Sequence, residues 1–127
     1  MAAKRPHDDV KSELRILQTT DLHMCLIPFD YVSNRSGGNY SLARLAPAIA
    51  ARRTEGPQTM LFDTGDIFQG NELASYVMQH LPSQSVHPMV SAMNALSYDA
   101  ITLGNHDFDF GLKGVQRILR DLTSPAI

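Results

Sequence analysis

Three short segments carry oxygen and nitrogen atoms suited to divalent ions: Asp21-Leu22-His23, Asp63-Thr64-Gly65-Asp66 and Gly104-Asn105-His106-Asp107. Carboxylate oxygens, an amide oxygen and imidazole nitrogens are ligands for Mn²⁺, Zn²⁺, Fe or Mg²⁺, and imidazole tilts the choice toward the transition metals. Asp21 and His23, two residues apart, can both turn to one ion. Asp66 follows a glycine that lets the backbone bend sharply, and its two oxygens suffice to bridge two ions. Asn105 offers an uncharged oxygen to the second. Two ions about 3.5 to 4 Å apart can clamp a phosphate, acidify a water for in-line attack and steady the leaving oxygen. His106 would then be free to protonate the leaving alcohol, with Asp109 orienting its other nitrogen. Singly, each segment is ordinary: Asp-x-His is more often a cap beside a surface histidine, Gly-Asp is a routine turn, and Asn-His-Asp can begin a helix. A turn reading does not explain why ligand types recur in all three.

Apolar runs precede each segment. LRILQTTD predicts a buried strand from Leu14 to about Thr19. The stretch to about Asn39, with Pro28, Ser33, Asn34, Ser36, Gly37 and Gly38, predicts a long loop. YSLARLAPAIAARR predicts a helix with Leu42, Leu45, Ala46 and Ile49 inward and Arg44, Arg52 and Arg53 outward; Pro47 either kinks it or delays its start. TMLFDTGD repeats the strand pattern. NELASYVMQH and HPMVSAMNAL predict two helices, the second with Pro88 in its first turn. DAITLGNHD is the third strand, and LKGVQRILRDL a last helix apolar at Leu112, Val115, Ile118, Leu119 and Leu122. The closing SPAI reads as a loop and the start of a further strand, so the chain is expected to stop within its fold. Such alternation predicts an α/β fold of βαβ units around a largely parallel sheet. In such sheets the carboxyl ends of the strands converge on one crevice, which gathers the three segments into one candidate site.

A chain of 127 residues makes one domain or a piece of one. With 43% hydrophobic and 19% charged residues the composition is globular, and no apolar run is long enough to cross a bilayer. A net charge of −2 with both signs scattered argues against a groove for duplex nucleic acid, and leaves small phosphate-bearing substrates open. Cys25 is the sole cysteine, which excludes an intrachain disulfide. Residues 1–13 read as a flexible polar tail without the apolar core of a secretory signal, and the compartment stays open. Met78, Met89 and Met93 read as core filler. Arg52-Arg53 and Arg117-Arg120 read as solvated helix faces. Phe108 and Phe110 either floor the site or pack beneath its loop. Asp63 and Asp107 are either acids that orient ligands or turn formers. His7, His80 and His87 read as surface or helix-end residues.

DLH, GDIFQGNELASY and LGNHDFDFG resemble the metallophosphatase, or calcineurin-like phosphoesterase, domain of the 5'-nucleotidase family. TTDLH, DTGDIFQG, HPMVSAMNAL and TLGNHDFDFGL are most similar to its 2',3'-cyclic-nucleotide 2'-phosphodiesterase/3'-nucleotidase branch, from Leu14 to about Leu122. The resemblance implies a four-layer α/β/β/α sandwich of which residues 14–127 would be the N-terminal part. It implies two divalent ions (Mn, Zn, Fe, Co or Mg), the first held by Asp21, His23 and Asp66 and the second by Asp66 and Asn105. A catalytic His106–Asp109 dyad and a metal-bound hydroxide would hydrolyse a small-molecule nucleotide, a 2',3'-cyclic or 3'-nucleotide. A 5'-nucleotidase or another binuclear metallophosphatase is the alternative, as is an inactive fragment or noncatalytic metal-binding module. Some members of the branch have Asn where Asp109 stands. Members take further ligands from a Gly-His-x-His segment and hold the nucleoside on a separate C-terminal domain, both absent here, so the chain is expected to carry part of the site. With half of a two-sheet sandwich missing, the uncovered sheet face predicts self-association of the isolated chain.

Overall fold

The computed structural model describes residues 12–127, so the expected tail, His7 included, lies outside the described residues except for its last two positions. Three parallel strands, β1 (Leu14–Thr19), β4 (Gln58–Asp63) and β5 (Ala100–Ile101), form a sheet in the order β1-β4-β5. The register pairs Leu17 with Leu61 and Thr19 with Asp63. Ala126 bridges to Ile101 in parallel, which continues the sheet at the position expected of SPAI. Helix α1 (Leu42–Thr54) links β1 to β4, and α2 (Glu72–His80) and α3 (Pro88–Leu96) link β4 to β5; α4 (Gly111–Leu119) follows. The predicted mixed α/β order therefore stands, but the reading of β1 as a buried strand does not: its residues alternate between exposed and half-buried, because only one face of the sheet is covered at this edge.

Local chemistry explains the helix ends. The hydroxyl of Ser41 accepts from the N–H of Arg44 to start α1, and the amide oxygen of Asn71 accepts from Ala74 to start α2. Pro88 opens α3, where its missing N–H costs nothing. Pro47 does not delay α1, which runs through it. Its ring and the Ala43 carbonyl that loses a partner both lie on the exposed face, where water can serve that carbonyl.

Leu42, Leu61, Ile67, Phe68, Met89, Met93 and Ile118 are buried at the centre of one core. Met78 packs against that core, so all three methionines are filler as read. Leu112 departs from the helical reading: it is 71% exposed in the first turn of α4, whereas Val115 and Ile118 further along are buried. The predicted loop after β1 contains a small antiparallel ladder, β2 (Phe29–Asp30) with β3 (Arg35–Ser36). Arg52 and Arg120 are exposed as read, whereas Arg53 and Arg117 are half-buried and depart from a solvated role. Arg117 donates to the carbonyls of Met78, Leu81 and Pro82, tying α4 to the end of α2, and Arg53 donates to the Ser97 carbonyl. No helix among the described residues is long and apolar enough to cross a membrane.

Candidate functional site

Adjacent parallel strands deliver the first two segments side by side. Beyond β1 and β4 the backbones stay paired: Asp21, His23 and Met24 donate their N–H groups to the carbonyls of Gly65, Asp66 and Ile67 at 3.0, 2.9 and 2.8 Å. To turn outward the chain takes left-handed conformations at Asp21, His23, Met24 and Asp66, with φ between 44° and 58°. For non-glycine residues that conformation costs on the order of 1 kcal/mol each, and it persists where the surroundings enforce it.

The third segment is tied to the second by one carboxylate. Asp107 is fully buried; its Oδ1 accepts from the N–H groups of Ile67 and Phe68, and its Oδ2 from those of Asp66 and Gly104, all at 2.8 to 2.9 Å. Its bonds to Asp66, Ile67 and Phe68 therefore reach about forty residues back along the chain, beyond what a local turn former alone would make. An acid in mid-loop gives no sequence signal that separates an orienting acid from a turn former. Asp63, also buried, accepts from the Thr19 hydroxyl and the Gly65 N–H, while burial pushes its carboxyl up to about 6. His106 donates its backbone N–H to Asp66 Oδ1 at 2.9 Å, closing the loops on one another.

These bonds bring Asp21, His23 and Asp66 together, with one ligand atom of each lying within 4.8 Å of the others. His23 Nε2 stands 3.6 Å from Asp21 Oδ1, while its Nδ1 lies 2.8 Å from the Gln69 carbonyl. Two carboxylates and an imidazole converging on one point, with the far imidazole nitrogen already engaged, form a donor set that fits a divalent transition ion. Asn105 sits exposed at the start of a 3₁₀ turn (His106–Phe108) next to the residue bonded to Asp66. The ring centroids of His23 and His106 are 5.6 Å apart. His106 Nδ1 is 2.9 Å from Asp109 Oδ2; because a carboxylate accepts, Nδ1 carries the proton and Nε2 is the nitrogen left over. That hydrogen bond raises the His106 pKa above its ordinary value, and the charges of Asp109, Asp66 and Asp107 act in the same direction. A cleft of about 320 Å³ opens beside Asp21 and His23, walled by Tyr40 and Leu45.

The remaining candidates lie elsewhere. Phe108 is exposed and Phe110 packs against the core, so neither floors the cluster. His80 is exposed at the end of α2. His87 corrects the surface reading: it stands at the helix end of α3 but is 2% exposed, edge-on to the Phe68 ring, and neither ring nitrogen has a hydrogen-bond partner among the described residues. Burial, with Arg117 nearby, pulls its pKa down to about 4.

The family model described as calcineurin-like phosphoesterase matches residues 14–125. The chain is 39% identical over 119 residues to the trifunctional nucleotide phosphoesterase protein YfkN of Bacillus subtilis, covering 90% of this chain and 8% of that protein. The crystal structure of calcineurin-like phosphoesterase YfkN superposes with a TM-score of 0.85, covering 90% of this chain and 36% of that one. A 2',3'-cyclic-nucleotide 2'-phosphodiesterase/3'-nucleotidase of Yersinia enterocolitica is 35% identical over 116 residues, 91% of this chain and 18% of that protein. A 5'-nucleotidase of Bos taurus is 34% identical over 120 residues, 91% of this chain and 20% of that protein. The chain thus spans a fifth or less of the length of these three relatives.

Proposed function

The chain belongs to the calcineurin-like phosphoesterase family, and on that premise we propose that it contributes the metal-binding and proton-transfer part of an enzyme hydrolysing nucleotide phosphoesters, with 2',3'-cyclic and 3'-nucleotides as substrates. The observation that carries the reading is the convergence of Asp21, His23 and Asp66 beside the His106–Asp109 pair. The names of the Bacillus and Yersinia relatives support the substrate class.

Asp21, His23 and Asp66 would hold one divalent ion, and Asp66 with Asn105 a second. Divalent ions in such a site supply charge neutralisation for the phosphate and acidify water. His106, its Nδ1 fixed by Asp109, presents Nε2 to the leaving oxygen and gives it a proton. Its raised affinity for that proton keeps the acid form available. A 5'-nucleotidase is the second reading, favoured by the bovine relative.

The test is Mn²⁺-dependent phosphate chemistry on 2',3'-cyclic AMP, 3'-AMP and 5'-AMP, with calorimetric titration of Mn²⁺ alongside. Turnover of the first two is expected to fall by about 10²- to 10⁴-fold in His106→Ala, and Asp66→Ala is expected to abolish Mn²⁺ binding. Preference for 5'-AMP would select the second reading. A folded wild-type chain that binds no Mn²⁺ would overturn both.

A further inference from the structure

His23 is held from behind by backbone. A carbonyl oxygen has no proton to give, so the 2.8 Å contact between His23 Nδ1 and the Gln69 carbonyl is a hydrogen bond only if Nδ1 bears the hydrogen. The neutral imidazole then presents a bare Nε2 on the side of Asp21. The carbonyl reaches that position because the next residue has no side chain. Gly70 has φ +144°, and a Cβ there would lie 2.5 Å from His23 Nδ1 and 2.6 Å from His23 Cβ. The imidazole has little freedom to retreat, since the His23 backbone is bonded to Asp66 and Met24 behind it is buried.

From this we infer that the Gln69–Gly70 peptide is a positioning element, which fixes the tautomer and ring plane of His23 so that Nε2 is the nitrogen offered to an ion. Asp66, four residues before Gly70, lies in the same loop. One segment therefore supplies a carboxylate and also sets the imidazole that is to share its ion. The role assigned to His23 rests on the reading above; its tautomer does not.

Nitrogen-15 NMR of the metal-free wild-type chain near pH 7.5, correlating the His23 ring nitrogens with its ring protons, tests the inference directly. Nδ1 is expected to be protonated and Nε2 bare. The opposite tautomer, or the mixture of a free imidazole, overturns it, whether or not the chain binds metal. In Gly70→Ala the His23 spectrum is expected to revert to the mixture, and Mn²⁺ affinity to fall by about 10- to 100-fold. Unchanged affinity in a folded Gly70→Ala also overturns it. A wild-type chain with the expected tautomer but no Mn²⁺ binding would sustain the positioning role and reject the functional reading.

Discussion

His87 puts an imidazole where the fold accepts only its neutral form. Both nitrogens are buried without partners among the described residues, an arrangement that costs about 1 to 3 kcal/mol; burial disfavours the charged form, and the Arg117 charge opposes protonation as well. Above pH 6.5 the folded and unfolded chains both hold it neutral. Between there and about 4 the unfolded chain takes a proton that the folded chain refuses, so stability falls with acid, by about 3 kcal/mol in all. His87→Phe keeps an aromatic edge against Phe68 and removes the titration. Urea denaturation is expected to show a midpoint at pH 7 no lower than the wild type's, and about 3 kcal/mol less acid sensitivity. Equal acid sensitivity in both proteins would clear His87 as its source. Asp21, His23 and Asp66 are legible in the sequence by chemical type, and the structure brings them together. Asp107 and His87 are not legible in this way, because burial and hydrogen-bond number are properties of the surroundings.

Elements were legible where a run was long. The six-residue strands β1 and β4 and the amphipathic helices follow from apolar spacing. The β2–β3 ladder did not, since two-residue strands carry no period and their residues are those of turns. In α1 the question Pro47 raised is decided by orientation, because its exposed face forgives one missing bond. Replacing Pro47 with Ala restores a donor to the Ala43 carbonyl but loosens the unfolded chain. The net gain is expected to be about 2 kcal/mol in denaturant unfolding. A loss of stability would mean that the proline ring itself packs usefully.

For the molecule as a whole, the sheet has unequal faces. Leu17 and Leu61 turn to α1, whereas Leu14 and Ile16 on β1 are 55% and 63% exposed beside half-buried Met60 and Phe62. Parallel sheets are ordinarily covered on both sides, and apolar surface left bare promotes association. Sedimentation velocity is expected to show concentration-dependent association of the chain, weakened by combined Leu14→Thr and Ile16→Thr, which keep strand propensity. A monodisperse wild type at high concentration would refute the idea. The overall class was readable from the alternation of runs, whereas the uncovered face was expected only through the resemblance to a two-sheet sandwich, because alternation gives order without saying what lies on each side.

The Asp107 carboxylate has a consequence for the time course of folding. Its partners at Asp66, Ile67 and Phe68 lie about forty residues back along the chain, and closing so long a segment is entropically expensive until neighbouring strands have already brought its ends together. The motifs can form as local turns within microseconds, but the crevice cannot exist before β4 and β5 have paired. Any molecule that binds it therefore acts on a late-forming state, slowing escape from the native fold more than it hastens arrival.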